Sequence, residues 1–241
     1  MTSTPPTIVV PVDVRGRESV PETLAAFLSP LPVLVVGVVE IPDQTAPKQA
    51  RDQFEDDARQ TLETVAETFA AAGAAVETRL TFTHDSQRTI EQVATDIDRV
   101  AILFPAPATA AESVLVAIRG GINVPNIAAT VAALLRSTDA SATLYHAATP
   151  DADTAEAEQA LRALGSALVE AGLDEARFRT VIEADDAPLS ALVAAANEHD
   201  LLVVGEDEPT IRDRIFGDTS ERVAEQTAVP VVIVRRPPVE K

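Results

Sequence analysis

A chain of 241 residues with 38 acidic residues against 19 lysines and arginines carries a formal net charge of −19. That charge excludes nonspecific binding to nucleic acid or to an anionic membrane surface, where positive charge supplies the affinity. The absence of cysteine excludes disulfides and thiolate metal sites, and no apolar run reaches the ~20 residues of a spanning helix.

The elements follow in chain order. Residues 7–12, TIVVPV, form a first strand ending at Asp13. A short helix over 21–31 starts at Pro21, a residue favoured in the first helical turn. The run 33–40, VLVVGVVE, is a second buried strand. Over 49–72, Phe54, Ala58, Leu62, Val65 and Phe69 recur at helical spacing beside an acidic face, and Gly73 closes the helix. A strand over 75–83, a helix over 85–98 and a strand over 100–104 complete a βαβαβαβ series, the order of a parallel sheet with helices on both faces.

The series then begins again: strand 114–118, helix 123–136, strand 142–147, helix 154–171 closed by Gly172, strand 178–183, helix 188–198 and strand 201–204. A repeat unit this long signals tandem domains, at 1–107 and 114–241. Only the second continues, through Gly205, an acidic and arginine-bearing loop, a helix from Gly217 and a last strand at 231–234. The first passes through Pro105-Ala106-Pro107 directly into the second and lacks the last helix and strand.

The stretch LLVVGEDEPTIRDRIFGDTSERVAEQTAVPVVIVRRP, residues 201–237, resembles the carboxyl-terminal end of universal stress proteins, the UspA-like α/β domains. The resemblance implies two tandem Rossmann-like domains of the adenine nucleotide alpha hydrolase-like type. Nucleotide-binding members follow this strand with Gly, two residues, Gly, nine residues, Gly, then Ser or Thr. Gly205 matches the first glycine and Gly217 the last. Glu208 stands at the second, eight residues separate it from Gly217, and Asp218 follows in place of Ser or Thr. The family also places an aspartate at the end of the first strand as a partner for the nucleoside. Asp13 matches it in the first domain, and Arg119 occupies the position in the second. The halves of a nucleotide site are thus split between the copies. By this resemblance the candidate ligand-binding residues are Asp13, Arg119, Gly205, Gly217, Asp218, Thr219 and Ser220.

Glu206, Asp207 and Glu208 put three carboxylates where a triphosphate would lie, and a like-charge contact at ~4 Å costs about 1 kcal/mol even in water. Arg119, Arg212 and Arg214 offset this if they point inward; paired with local acids or solvated, they do not. Gly217 is either a ligand-binding turn or a plain backbone turn. His84, His146 and His199 lack metal-ligand spacing; His146, at a strand end beside Tyr145, is either a site residue or structural. The chain contains no GxxxxGK[ST], GxGxxG after a strand, HExxH or GxSxG motif. The expectation is therefore no enzyme and no metal.

Three functions remain open. The first is a non-catalytic stress or regulatory module with a degenerate nucleotide site and no cofactor. The second is a soluble regulatory partner of a membrane transporter, by family analogy. The third is a genuine ATP or AMP binder. A cytoplasmic homodimer is expected, paired through the last strand at Val231 and Ile233, with no nucleic acid partner and no membrane insertion. Lysine is confined to Lys48 and Lys241, a composition that resembles proteins of salt-accumulating archaea; an ordinary acidic bacterial protein is the alternative.

Overall fold

The computed structural model describes residues 5–15, 19–42, 44, 47–108, 110–118, 123–205 and 226–236. In the first half, apolar runs too short for helices become strands and the amphipathic stretches between them become helices. The order is β1 (Thr7–Asp13), α1 (Glu22–Leu28), β2 (Val33–Glu40), α2 (Pro47–Ala71), β3 (Val76–Thr83), α3 (Ser86–Thr95) and β4 (Val100–Phe104). The second half repeats it: β5 (Ser113–Ala117), α4 (Val124–Arg136), β6 (Ser141–Ala148), α5 (Ala155–Glu170), a 3-10 turn (Glu175–Arg177), β7 (Phe178–Ala184), α6 (Pro188–Asn197) and β8 (Leu201–Gly205). A final strand follows, β9 (Val231–Val234).

The two long helices end alike. Gly73 and Gly172 take φ of +92° and +90°, the left-handed conformation that lets the chain reverse after α2 and α5. At α2 the Ala74 N–H reaches the Phe69 carbonyl at 3.1 Å, and at α5 Leu173 N–H reaches Leu168 at 3.1 Å, occupying carbonyls that the helix end leaves open. Asp85 caps α3 by accepting the Arg88 N–H at 2.9 Å.

All nine strands among the described residues form one sheet, in the order β3-β2-β1-β4-β9-β8-β5-β6-β7. Pairs within each half are parallel, but β9 runs antiparallel to β4, with Phe104 opposite Val231 and Ile102 opposite Ile233. On its other edge β9 runs parallel to β8. Two expectations are corrected here. The halves do not carry separate parallel sheets; they share one sheet whose strand direction reverses at the β4·β9 seam. The last strand also has no open edge for a second chain, because both its edges are bonded within this chain. The physical reason is the same for both: β4, with no fifth strand of its own half beside it, presents the edge that β9 fills.

The helices divide equivalently in both halves. The α1, α2, α4 and α5 helices pack on one face, burying Leu28, Phe69, Leu135 and Leu164 completely or nearly so. On the other face lie α3, against Val9, Val36 and Ile102, and α6, against Leu115, Leu202 and Ile233. Matching helices share a face while their strands point oppositely, the relation given by a two-fold axis normal to the sheet. Central strands covered on both faces account for the complete burial of Val9, Val10, Val203 and Val232. Among the described residues, no helix is long and apolar enough to cross a membrane.

Candidate functional site

In parallel α/β sheets ligands bind beyond the carboxyl ends of the strands, where neighbouring strands send their connections to opposite sides. The antiparallel seam puts the carboxyl ends of the two halves at opposite ends of the sheet. Gly205 lies opposite Val234, Val234 opposite Ala101, and Ala101 opposite Ile8. Asp13 stands further along β1, about 16 Å beyond that row and about 14 Å across it at usual strand spacings. Asp13 and Gly205 therefore belong to different crevices.

The first crevice lies where β1 and β4 diverge. Its cleft of about 440 Å³ is lined by residues 11–13 of β1, Val38 and Glu40 of β2, residues 102–105 around the end of β4, and one side of α3. Asp13 accepts the Arg15 N–H at 2.9 Å. Glu40 accepts the Ser86 hydroxyl at 2.5 Å, tying the end of β2 to the start of α3. The Arg15 guanidinium donates to the Glu40 backbone carbonyl at 3.3 Å and lies 5.2 Å from the Phe54 ring centre. Glu40, Ser86 and Glu91 are lining residues that the sequence argument missed. Local sequence carried no signal for them, since Glu40 ends β2 while Ser86 and Glu91 lie on α3 and the three meet only in the fold.

At the opposite end of the sheet, Gly205 packs against α4. A methyl group there would sit 2.6 Å from Ile127 Cδ1 and 3.9 Å from Asn123 Cβ. Packing against α4 thus favours a glycine at this position, since any larger residue must displace the Ile127 methyl. Asn123, buried, donates to the Val234 carbonyl at 2.8 Å, and Asn126 donates to Asn123 at 3.1 Å. Together they fasten the start of α4 to the end of β9. His146 donates from Nδ1 to the Ile118 carbonyl at 2.9 Å, which fixes the ends of β5 and β6. Tyr145 is buried and donates to Glu183 at 2.7 Å. Burial, reinforced by that carboxylate, pushes its phenol well above the ordinary value, so it stays a neutral donor.

Other polar groups hold the scaffold. His199 places Nδ1 2.8 Å from the Ala195 carbonyl and Nε2 3.0 Å from the Thr143 hydroxyl. His84 donates to the Ile41 carbonyl at 3.0 Å. The Arg177 guanidinium gathers the carbonyls of Leu135, Thr138 and Ala140 behind α4, where a helix end favours positive charge. Asp200 accepts from the Glu112 N–H at 3.0 Å and from the Ser113 N–H and hydroxyl, both at 2.9 Å. Burial alone would raise its pKa. The hydrogen bonds from Glu112 and Ser113, with the charge of His199, outweigh it and hold the carboxyl below its usual value.

Of the residues singled out from the sequence, Asp13 lines the first crevice and Gly205 closes the strand beside the second. Arg119, Gly217, Asp218, Thr219 and Ser220 lie outside the described residues, as do Arg212 and Arg214. Among the described residues, no group of three or more His, Asp or Glu side chains could hold a metal ion.

Sheet order, helix placement and crevices at strand ends define a doubly wound α/β protein. Residues 100–235, over half of the chain, match the family model described as Universal stress protein family. The chain belongs to that family. It is similar in fold to a universal stress protein from Archaeoglobus fulgidus DSM 4304, at 18% identity, 98% coverage of each chain and a TM-score of 0.67. It is also similar to the cytoplasmic domain of a prokaryotic cation chloride cotransporter, at 13% identity, 95% coverage of each chain and a TM-score of 0.55. No curated protein matches the chain in sequence.

Proposed function

We propose that this universal stress protein is a non-catalytic regulatory module of two tandem units, 1–107 and 114–241, whose nucleotide site is degenerate. The observation that carries the reading is the reversal of strand direction at the β4·β9 seam. It supports a division of labour in which Asp13, the nucleoside partner by family resemblance, serves one end of the sheet. Gly205 stands at the other. Neither end then brings Asp13 and Gly205 together. The sequence adds Glu208 in place of a glycine and Arg119 in place of an aspartate, both unfavourable to the usual nucleotide arrangement. The first half ends at β4 and its linker, without a phosphate loop of its own.

Mass spectrometry of small molecules released from native protein tests this reading. The expected result is no stoichiometric ATP or AMP; stoichiometric nucleotide would favour a genuine binder instead.

A second reading rests on the likeness in fold to the cotransporter's cytoplasmic domain. It makes this chain a regulatory partner of a membrane transporter, contributing no spanning helix among its described residues. Retention of a transporter through purification from native membranes would support it, and the reading fails if none is retained.

A further inference from the structure

Among the described residues the sheet has two outer edges, β3 and β7. The β7 edge runs for seven residues, FRTVIEA, with neither proline nor glycine and with Thr180, Val181 and Ile182 β-branched at its centre. Such an edge invites another strand unless something guards it. The Asp185 N–H bonds to the Ala148 carbonyl on the β6 side at 2.9 Å. By the alternation of a strand backbone, the N–H and C=O groups of Thr180, Ile182 and Ala184 therefore point away from β6. Arg179 and Glu183 flank Val181 on the α6 face, and both are exposed. Tyr145 donates to Glu183 at 2.7 Å, which orients that carboxylate and leaves it acceptor capacity. Among the described residues Arg179 makes no ion pair.

We propose that β7 pairs with β7 of a second copy of this chain, antiparallel and centred on Val181, so that one sheet runs through the dimer. Charges on an edge ordinarily repel strays, but these are self-complementary. Centred on Val181, Arg179 of each copy lies opposite Glu183 of the other. Both occupy non-hydrogen-bonded positions, where Cα atoms approach to about 4.5 Å and side chains interact most closely. The outward backbone groups of Thr180 meet those of Ile182, and Phe178 faces Ala184 on the α5 side. A two-residue shift in either sense shortens the ladder and sets Val181 opposite one of the two charges. On the α5 flank of this edge, Gly165 lies against Phe178, and Val169, one turn on, is 46% exposed and adds apolar surface. The contact is isologous, so it closes as a dimer and does not propagate. The β3 edge suits pairing less. Setting its Glu77 opposite Arg79 centres the ladder on Thr78, near the start of the strand, and leaves Thr81, Phe82 and Thr83 without strand partners. Two chains of charge −19 repel, but at ~0.15 M salt the Debye length of about 8 Å screens that repulsion more than a contact pair. The dimer requires nothing of the nucleotide site.

Sedimentation velocity of the full chain at ~0.1 mM in ~0.15 M KCl tests the pairing, and amide hydrogen exchange followed by NMR locates it. A dimer is expected, with the Thr180 and Ile182 N–H groups protected in it and exchanging freely on dilution to monomer. Arg179→Glu, at an exposed position, sets like charges opposite each other twice and should weaken the dimer about tenfold or more. Thr180→Pro removes an N–H that points away from β6, so it should abolish the dimer and keep the β6 ladder. A chain monomeric at ~0.1 mM overturns the proposal. So does a dimer whose Thr180 and Ile182 amides stay unprotected, or one unchanged by Arg179→Glu.

Discussion

Phe104 and Val231 face each other across the antiparallel ladder, the last residue of β4 against the first of β9. Val231 simultaneously lies opposite Leu202 of β8 in a parallel ladder. A four-residue strand is thus the seam of the whole sheet, and the two halves meet through it.

Charge placed in this seam should unfold the protein. Val231 is fully buried and Ile233 is 2% exposed, so Val231→Lys or Ile233→Asp buries an unpaired charge at a cost of about 3 kcal/mol or more. Denaturant unfolding followed by circular dichroism measures it. A Val231→Lys protein that stayed fully stable and changed only from dimer to monomer would contradict the internal position of β9.

Gly205→Ala should destabilise the fold by about 1–3 kcal/mol through overpacking. The added methyl would meet Ile127 Cδ1 at 2.6 Å, and Ile127 is itself buried. Removing that methyl with Ile127→Val should recover part of the loss, giving a coupling measurable by a double-mutant cycle. Full additivity of the two substitutions would remove the packing explanation for this glycine.

Much of the fold was legible because these strands are covered on both faces and read as unbroken apolar runs. The 33–40 strand coincides with β2, and the 100–104 strand with β4. Gly73 and Gly172 marked helix ends because only a left-handed residue lets the chain turn back there. The seam was not legible. The sequence shows that the first half lacks a fifth strand and that the last strand needs a neighbour. It does not say whether that neighbour comes from the same chain or another. Intramolecular pairing wins when the connection reaches, since the partner edge is then at high effective concentration. Of the site, Asp13 was foreseen, while Glu40, Ser86 and Glu91 were not, since they come together only once α3 folds across β2. Gly205 was found for its place in a glycine pattern, yet its visible constraint is the side chain of Ile127.

Asp200 should make the protein more stable above about pH 4 than below it. Its folded pKa is lowered, so its contribution is complete above the unfolded value near 3.9 and is lost as pH falls through the folded one. Asp200→Asn should therefore destabilise at neutral pH, leaving Ser113 and Glu112 with a weaker acceptor. Its deficit relative to the parent should shrink below pH 4. Thermal midpoints of both proteins across pH 3–7 check this, and a constant deficit would contradict it.

Salt should stabilise the fold. With 38 acidic and 19 basic residues, self-repulsion opposes compaction until cations screen it. The thermal midpoint in molar KCl should exceed that at ~0.1 M. Equal midpoints would count against a chain adapted to salt.

The most direct test of the degenerate, divided site is calorimetric titration of the full chain with ATP and AMP in high salt. The account predicts dissociation constants of about 1 mM or weaker, equivalent to no more than about 4 kcal/mol of binding free energy. Micromolar binding of ATP, abolished by Gly217→Val in a variant that keeps its thermal midpoint, would contradict it.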